Sequence, residues 1–334
     1  MFDDFEKFGD KTALYSSNFG TFSYNEILQY ISRLKVIFET RSLVLIISTN
    51  SIFEILAYVS IISNNSVVMF LDKKTPASLI AKVIEKYTPD YLFSDQKIIN
   101  SLNVQDYNKH LSLGNLYFFK KNFKTKSKIH PSLCVLLPTS GSMGSPKFVR
   151  LSKSNIVSNT KAIAQYLGLS SKEKAITNMP ISYSYMFSIV NTHLFSGGSL
   201  LFTDRSILDK TFWQEAKAFE ITSFSGVPFM YETLLRLGLK RFWFPTIKCF
   251  TQAGGRLDDT TLKSLTSFCK ENKLKFFSMY GQTEASPRIS YLDWESSPSK
   301  LGSIGKAIPD SRMWLEDENK VKIDKPYKIG HLVF

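Results

Sequence analysis

The chain has 334 residues, 43% of them hydrophobic and 21% charged, with 16 Gly and 12 Pro, a balance that excludes a disordered, collagen-like or disulfide-stapled protein. At ~150 residues per domain, this length makes about two folding units, or one large α/β unit with an appended subdomain, and either is large enough for a real core. The 42 Lys and Arg against 29 Asp and Glu leave a net charge of +13, which favours anionic partners such as nucleotides, phosphorylated carriers or nucleic acid.

Along the chain, Ser23 followed by Glu26 is a capping box, and Ile27, Ile31, Leu34 and Phe38 repeat after it at helical spacing. Segments 43–47, 67–71, 91–93 and 133–137 are short, apolar and β-branched or aromatic, as buried strands are, with helices at 51–63 and 77–87 between them. Segment 148–151 reads as one more strand. A second series follows: helix 155–167, strand 200–203, helix 209–219, helix 228–237 with Pro228 in its first turn, strand 247–251, helix 258–271 and strand 275–279. Past Tyr291 the helical pattern fades into Gly, Pro and short β candidates that end in a strand at 331–334. These alternations predict an α/β protein with two stacked subdomains, 1–170 and 171–290, and the start of a β subdomain at 291–334.

Cys134, Cys249 and Cys269 are too scattered for a disulfide framework or a thiolate metal site, so a reducing cytoplasm is the expected setting. The opening MFDDFEKFGD carries acids where a secretory leader needs a basic flank, and Glu54 and Ser60 interrupt the longest apolar-rich stretch, so no membrane span is expected. Lys120, Lys121, Lys124, Lys126 and Lys128 read as a solvated linker. No zinc-finger, RNA-sheet or helix-turn-helix pattern accompanies them, and nucleic acid is not expected as a partner. The four histidines, His110, His130, His193 and His331, are dispersed and form no metal set.

The most informative segment is Leu136-Leu-Pro-Thr-Ser-Gly-Ser-Met-Gly-Ser-Pro-Lys147, a hydroxyl- and glycine-rich loop that leaves a buried strand and ends in a lysine. Glycines let the backbone curl so that amides and hydroxyls converge on phosphate oxygens, and the lysine adds a point charge. A Walker loop needs four residues between its glycines, Ser or Thr after the lysine, and a helix next. Here two residues separate Gly141 and Gly144, Phe148 follows Lys147, and a strand comes next, so this is a strand-to-strand phosphate loop of another kind.

Thr139-Ser-Gly-Ser-Met-Gly-Ser-Pro-Lys147 resembles the signature of the adenylate-forming (AMP-binding) superfamily, which includes acyl-CoA synthetases, firefly luciferases and peptide-synthetase adenylation domains. Ala253-Gly-Gly255 resembles the adenine-facing loop of that family, Met279-Tyr-Gly-Gln-Thr-Glu284 its second nucleotide motif, and Gly302-Ser-Ile-Gly-Lys-Ala-Ile-Pro309 the segment after it. Any one of these alone is a plain turn or helix cap; four in family order are not a coincidence. Residues 23–26, 178–202 and 225–231 also sit where such enzymes place an early helix and acyl-pocket elements.

The resemblance implies two α/β subdomains with a partial distorted β-barrel subdomain, ATP or AMP and Mg²⁺ as ligands, and attack of a substrate carboxylate on the α-phosphorus of ATP. The acyl-adenylate then passes to a thiol of CoA or of an acyl or peptidyl carrier protein. By motif position, Thr139, Ser140, Ser142 and Lys147 would hold the β- and γ-phosphates, with Gly141 and Gly144 shaping their loop. Thr283 would hold the α-phosphate and Glu284 a Mg²⁺ ion. Tyr280 would stack on adenine beside Gly281 and Gln282, while Ala253, Gly254 and Gly255 let the base approach the backbone. Tyr183, Ser184, Tyr185, Gly226 and Val227 are the candidates for the acid, although Tyr183, Tyr185, Met186 and Phe187 read equally well as core aromatics.

Departures from the family pattern are Met143 for a usual Thr, Phe148 for Gly and Lys153 for a frequent His. Ser184 stands where amino-acid activators place an Asp, which argues against an α-amino acid and for an acid bound through apolar surface. The sequence stops before the family's ribose-binding Asp and the mobile C-terminal domain with its catalytic Lys, so a large N-terminal part of a ligase is expected. The alternative is a non-catalytic nucleotide or acyl-adenylate binding protein.

Overall fold

The computed structural model describes residues 2, 4–38, 40–102, 104–123, 128–139, 147–293, 295–296 and 299–334. Strands β1 (Thr12–Ser16) and β2 (Gly20–Ser23) lead into α1 (Tyr24–Leu34). The Ser23 hydroxyl accepts the Glu26 amide at 3.2 Å and Glu26 Oε2 accepts the Ser23 amide at 2.6 Å, which satisfies two donors that a helix start leaves open. Phe38 lies beyond the end of the helix, yet it is buried with the α1 face.

Next come β3 (Leu43–Ser48), α2 (Ile52–Ser63), β4 (Val67–Asp72), α3 (Ala77–Tyr87) and β5 (Tyr91–Ser94). After a short α4 (Gln96–Ser101) the chain forms β6 (Tyr107–Leu113), β7 (Leu116–Lys121), β8 (Leu133–Pro138), β9 (Phe148–Ser152) and α5 (Lys153–Leu167). The second series is β10 (Lys174–Thr177), α6 (Ser184–Phe195), β11 (Ser199–Phe202), α7 (Lys210–Ala218), β12 (Ser223–Gly226) and α8 (Pro228–Arg236). Then follow β13 (Cys249–Gln252), α9 (Asp259–Glu271), β14 (Lys275–Gly281), β15 (Arg288–Leu292), β16 (Lys306–Ala307), β17 (Trp314–Glu316), β18 (Lys322–Ile323) and β19 (His331–Val333).

These strands make a seven-stranded sheet in the order β6-β7-β5-β3-β4-β8-β9, a nine-stranded sheet in the order β16-β15-β14-β13-β12-β10-β11-β1-β2, and a three-stranded sheet β18-β17-β19. The middle of each large sheet is parallel, as crossover helices require, and antiparallel strands close the edges. The first strand pairs with the second series: Leu14 lies opposite Leu200 in the parallel β1–β11 ladder.

One continuous core joins the two large sheets, with α2 and α6 between them. The Tyr58 and Phe187 rings meet at 5.4 Å, and Tyr58 Oη donates to Asn191 Oδ1 at 2.9 Å. At the entrance to α2, the Glu54 carboxylate is 1% exposed. It accepts the Ser48 and Thr49 hydroxyls, each at 2.7 Å, and also the Thr49 amide.

The basic run is not all linker. Lys120 and Lys121 end β7, where Leu116, Phe118 and Phe119 bury the strand and the lysines emerge at its solvent end; Lys124 and Lys126 lie outside the described residues. Among the described residues no helix is long and apolar enough to cross a membrane.

All three cysteines are free. Burial pushes the Cys134 thiol up to about 11 and raises that of Cys269 as well, so little thiolate exists at neutral pH. Iodoacetamide at pH 7.5 should label these two at least ~100-fold more slowly in the folded chain than in urea, measured by peptide mass spectrometry.

Candidate functional site

Parallel strands point their carboxyl ends to one side, and open α/β sheets offer a crevice there. A cavity of about 1440 Å³ lies at these ends, reached from both large sheets. Thr139 enters it after β8 and Lys147 just before β9; the Thr139 amide donates to the Lys147 carbonyl at 3.0 Å and pins the two ends of the loop together. With β8 and β9 antiparallel, the strand-to-strand character of that loop is established. Ser140, Gly141, Ser142, Met143 and Gly144 lie outside the described residues.

Gly254 and Gly255 reach the cavity from the end of β13. Gly254 has φ +84°, and a Cβ there would run into the Tyr183 hydroxyl, so glycine is required on two counts. Tyr280, Gly281, Gln282, Thr283 and Glu284 line the cavity from the end of β14. A Cβ on Gly281 would collide with the Pro287 carbonyl, which keeps this turn tight. Tyr280 keeps its ring 39% exposed at the edge, a face open to stacking.

Tyr183 and Ser184 complete the expected lining, and Thr283 Oγ1 donates to Ser184 Oγ at 3.2 Å, which ties the second nucleotide motif to the start of α6. Burial raises the Tyr183 phenol, so it stays a protonated donor. Ala253 is buried beneath the glycines. Gly226 and Val227 do not line the cavity: Gly226 makes room for the Tyr231 ring, and Val227 packs beside Gly254.

Among the lining residues not expected from the sequence are Lys86 and Tyr87, which reach the cavity from the end of α3, and Gln252, Arg256 and Ser278. Tyr87 meets Phe148 edge-on at 5.3 Å, so the residue in place of the family's usual Gly packs against the rim. Gln252 Nε2 donates to the Gly255 carbonyl at 2.7 Å and Gln252 Oε1 accepts from Ser278 Oγ at 3.3 Å, a brace under the glycine turn. The position of Gln252, a polar residue closing a strand just before Ala253-Gly-Gly255, is the signal that could have found it. Lys86, Lys147 and Arg256 face a single carboxylate, Glu284, among the described lining residues. That balance suits a polyanion.

Among the described residues no cluster of three or more His, Cys, Asp or Glu could hold a metal. A lone exposed carboxylate such as Glu284 still fits Mg²⁺, which takes one or two carboxylates together with substrate phosphates and water.

A second cavity of about 140 Å³ lies behind α6, and Met279 lines both cavities. Tyr185 belongs to this one, buried, with its hydroxyl 2.7 Å from Thr251 Oγ1. Burial pushes that phenol up to about 12. Ser188, Thr192, Thr251 and Arg288 join Tyr185 in the lining. This wall thus sets hydroxyls and a guanidinium beside the apolar side chains of Leu167, Ile189 and Met279.

The family model described as "AMP-binding enzyme" matches residues 1–334. The acyl-CoA ligase sidI of Aspergillus fumigatus is 27% identical over 196 residues, 58% of this chain and 33% of that protein. A 2-succinylbenzoate–CoA ligase of Geobacillus sp. is 27% identical over 202 residues, 60% of this chain and 39% of that protein. The chain thus spans about a third to two fifths of the length of these curated relatives. Among solved structures, VinN superposes with a TM-score of 0.81 at 19% identity, covering 99% of this chain and 86% of VinN. O-succinylbenzoate coenzyme A synthetase from Bacillus subtilis, in complex with AMP, superposes at 0.78 and 18% identity, covering 98% of this chain and 68% of that one. At such identities the two structures establish the shared fold, and the match along the whole length shows that the chain belongs to the AMP-binding enzyme family.

Proposed function

We propose that the chain binds ATP in the large cavity and activates a carboxylic acid as acyl-AMP, the acyl group then passing to the thiol of CoA. The observation that carries this reading is the convergence of Thr139, Lys147, Gly254, Gly255, Tyr280, Thr283 and Glu284 on one cavity from both sheets. The relatives named as CoA ligases support the choice of thiol. In this reading the subdomains are 1–170, 171–290 and 291–334, with residues 12–23 completing the second sheet, and the setting is a reducing cytoplasm.

Catalysis here is positioning and charge compensation. Lys147 offers a point charge to the β- and γ-phosphates. The Thr283 hydroxyl, free to leave Ser184, donates to the α-phosphate, and Tyr280 stacks on the adenine that Gly254 and Gly255 admit. Glu284 would hold a Mg²⁺ ion, which would supply neutralisation of phosphate charge when bound. The acid sits beside Ser184, its carboxylate oxygen attacks the α-phosphorus, and pyrophosphate leaves.

Isothermal titration of the chain with ATP–Mg²⁺ and with AMP tests the reading. Both should bind, and Lys147→Ala should weaken ATP by about 10-fold or more, the worth of one charged hydrogen bond, with AMP changed by less than about 3-fold. Absence of binding by either nucleotide at millimolar concentration overturns it.

A further inference from the structure

Arg288 opens β15 directly across the ladder from Gly281 of the nucleotide motif. Its side chain is only 3% exposed, and arginine is almost never so buried without a charged partner. Here Nη2 donates to Ser188 Oγ at 3.2 Å, and the guanidinium carbon lies 4.9 Å from the centre of the Tyr185 ring. Nε has no partner, and no ion pair among the described residues includes Arg288.

The backbone of Arg288 is held firmly. Asn159 Nδ2 donates to the Arg288 carbonyl at 2.9 Å and Asn159 Oδ1 accepts its amide at 3.3 Å, so α5 fixes where the side chain starts. The side chain ends in the wall of the 140 Å³ cavity, a size close to the ~150 Å³ cavity known to hold benzene. The carboxylate in that wall, Glu173, lies just before β10 at the amino ends of the strands, engaged by the Thr222 hydroxyl at 2.6 Å, and Lys248 and Lys275 line the same end. Arg288 sits at the other end, beside the nucleotide motif.

The spacing is informative. Ser184 lines the large cavity and Ser188 the small one, one turn of α6 apart, on the order of 6 Å along the helix. An acid whose reacting carboxylate lies beside Ser184 and Thr283, and whose chain runs inward along α6 past Met279, which lines both cavities, places a group about 6 Å further on against Ser188 and the unpartnered Nε of Arg288. A monocarboxylic acid leaves that buried cation unpaired; a second carboxylate completes it.

We propose that Arg288 is the specificity residue for a second carboxylate, so that the acid activated is a dicarboxylic acid with its carboxyl groups about 6 Å apart. This rests on the reading that the chain activates an acid with ATP. It goes beyond that reading in naming the class of acid.

Linear diacids of glutarate to adipate length match the spacing, and each has a counterpart with one carboxylate removed. The chain, saturated with α,β-methylene-ATP and Mg²⁺, is titrated calorimetrically with glutarate, adipate, valerate and hexanoate. At least one diacid should bind about 30-fold or more tighter than its monoacid, as expected for a charge pair formed out of water. Arg288→Met should abolish the preference, Arg288→Lys should keep part of it, and both should bind the nucleotide analogue as the parent chain does, which also reports that the variants are folded. Equal affinity for diacid and monoacid, including no measurable binding of any of the four at about 10 mM, overturns the proposal while nucleotide binding leaves the parent reading standing. A preference that survives Arg288→Met overturns the assignment to Arg288. Failure of the unmodified chain to bind the nucleotide analogue overturns both.

Discussion

Replacing Glu54 by alanine is expected to destabilise the chain by about 3–5 kcal/mol, because three donors, the hydroxyls of Ser48 and Thr49 and the Thr49 amide, lose their common acceptor inside the core. For a chain of this size the unfolding midpoint should fall by on the order of 6 °C. Glu54→Gln keeps an acceptor oxygen and should cost less than half as much. Its pH dependence separates charge from hydrogen bonding. Burial raises the Glu54 carboxyl above the usual range, against smaller lowering contributions from Thr49, Ser48 and Ser51. A group raised in the folded state binds its proton more tightly there, so its contribution is fully present below the ordinary carboxylate range and is lost as pH rises through the raised value. Urea midpoints of the parent chain should therefore decline relative to Glu54→Gln as pH rises above about 4.3. Parallel curves would remove the charge from the account.

Gly254→Ala is expected to lower AMP affinity about 30-fold, with a smaller loss of stability. Two causes act together: φ of +84° strains any residue with a Cβ, and that Cβ meets the Tyr183 hydroxyl. Adding Tyr183→Phe removes the hydroxyl but leaves the backbone strain, so the double variant should recover part of the lost affinity, and Tyr183→Phe alone should change it little. Calorimetric titration of the three variants checks this. Recovery to the level of the parent chain would assign the whole cost to the collision.

How far the sequence reads ahead depends on where each signal is stored. The helix that opens at Ser23 is legible because its cap and its one-sided face are local. Helix α6 is not, since Ser184 to Leu194 are buried all round and a helix covered on every side has no polar stripe to set its period. Strand β12, Ser-Phe-Ser-Gly, has too little apolar or β-branched character to be read as a strand; only the neighbouring strands, with Thr251 meeting the Ser225 hydroxyl at 2.8 Å, make it a core strand. The site divides in the same way. Residues on turns that follow strands come in contiguous motifs, so Gly254, Tyr280 and Thr283 are read directly. Lys86, Arg256 and Arg288 stand in segments of ordinary composition, and their place is decided by which elements pack together.

The pairing of β1 with β11 sets an order of events during synthesis. Leu14 and Leu200 face each other across a sequence separation of 186 residues, so the first strand leaves the ribosome long before its partner exists. At ~5–20 residues per second that wait is on the order of 10–40 s. The seven-stranded sheet draws all its strands from residues 43–152 and has no such wait. All its strands are synthesised before Ser199–Phe202, the partner of β1, arrives. A chain begun after Ser23 would still contain every residue named at the nucleotide cavity, yet β11 would become an open edge, and open edges recruit other chains.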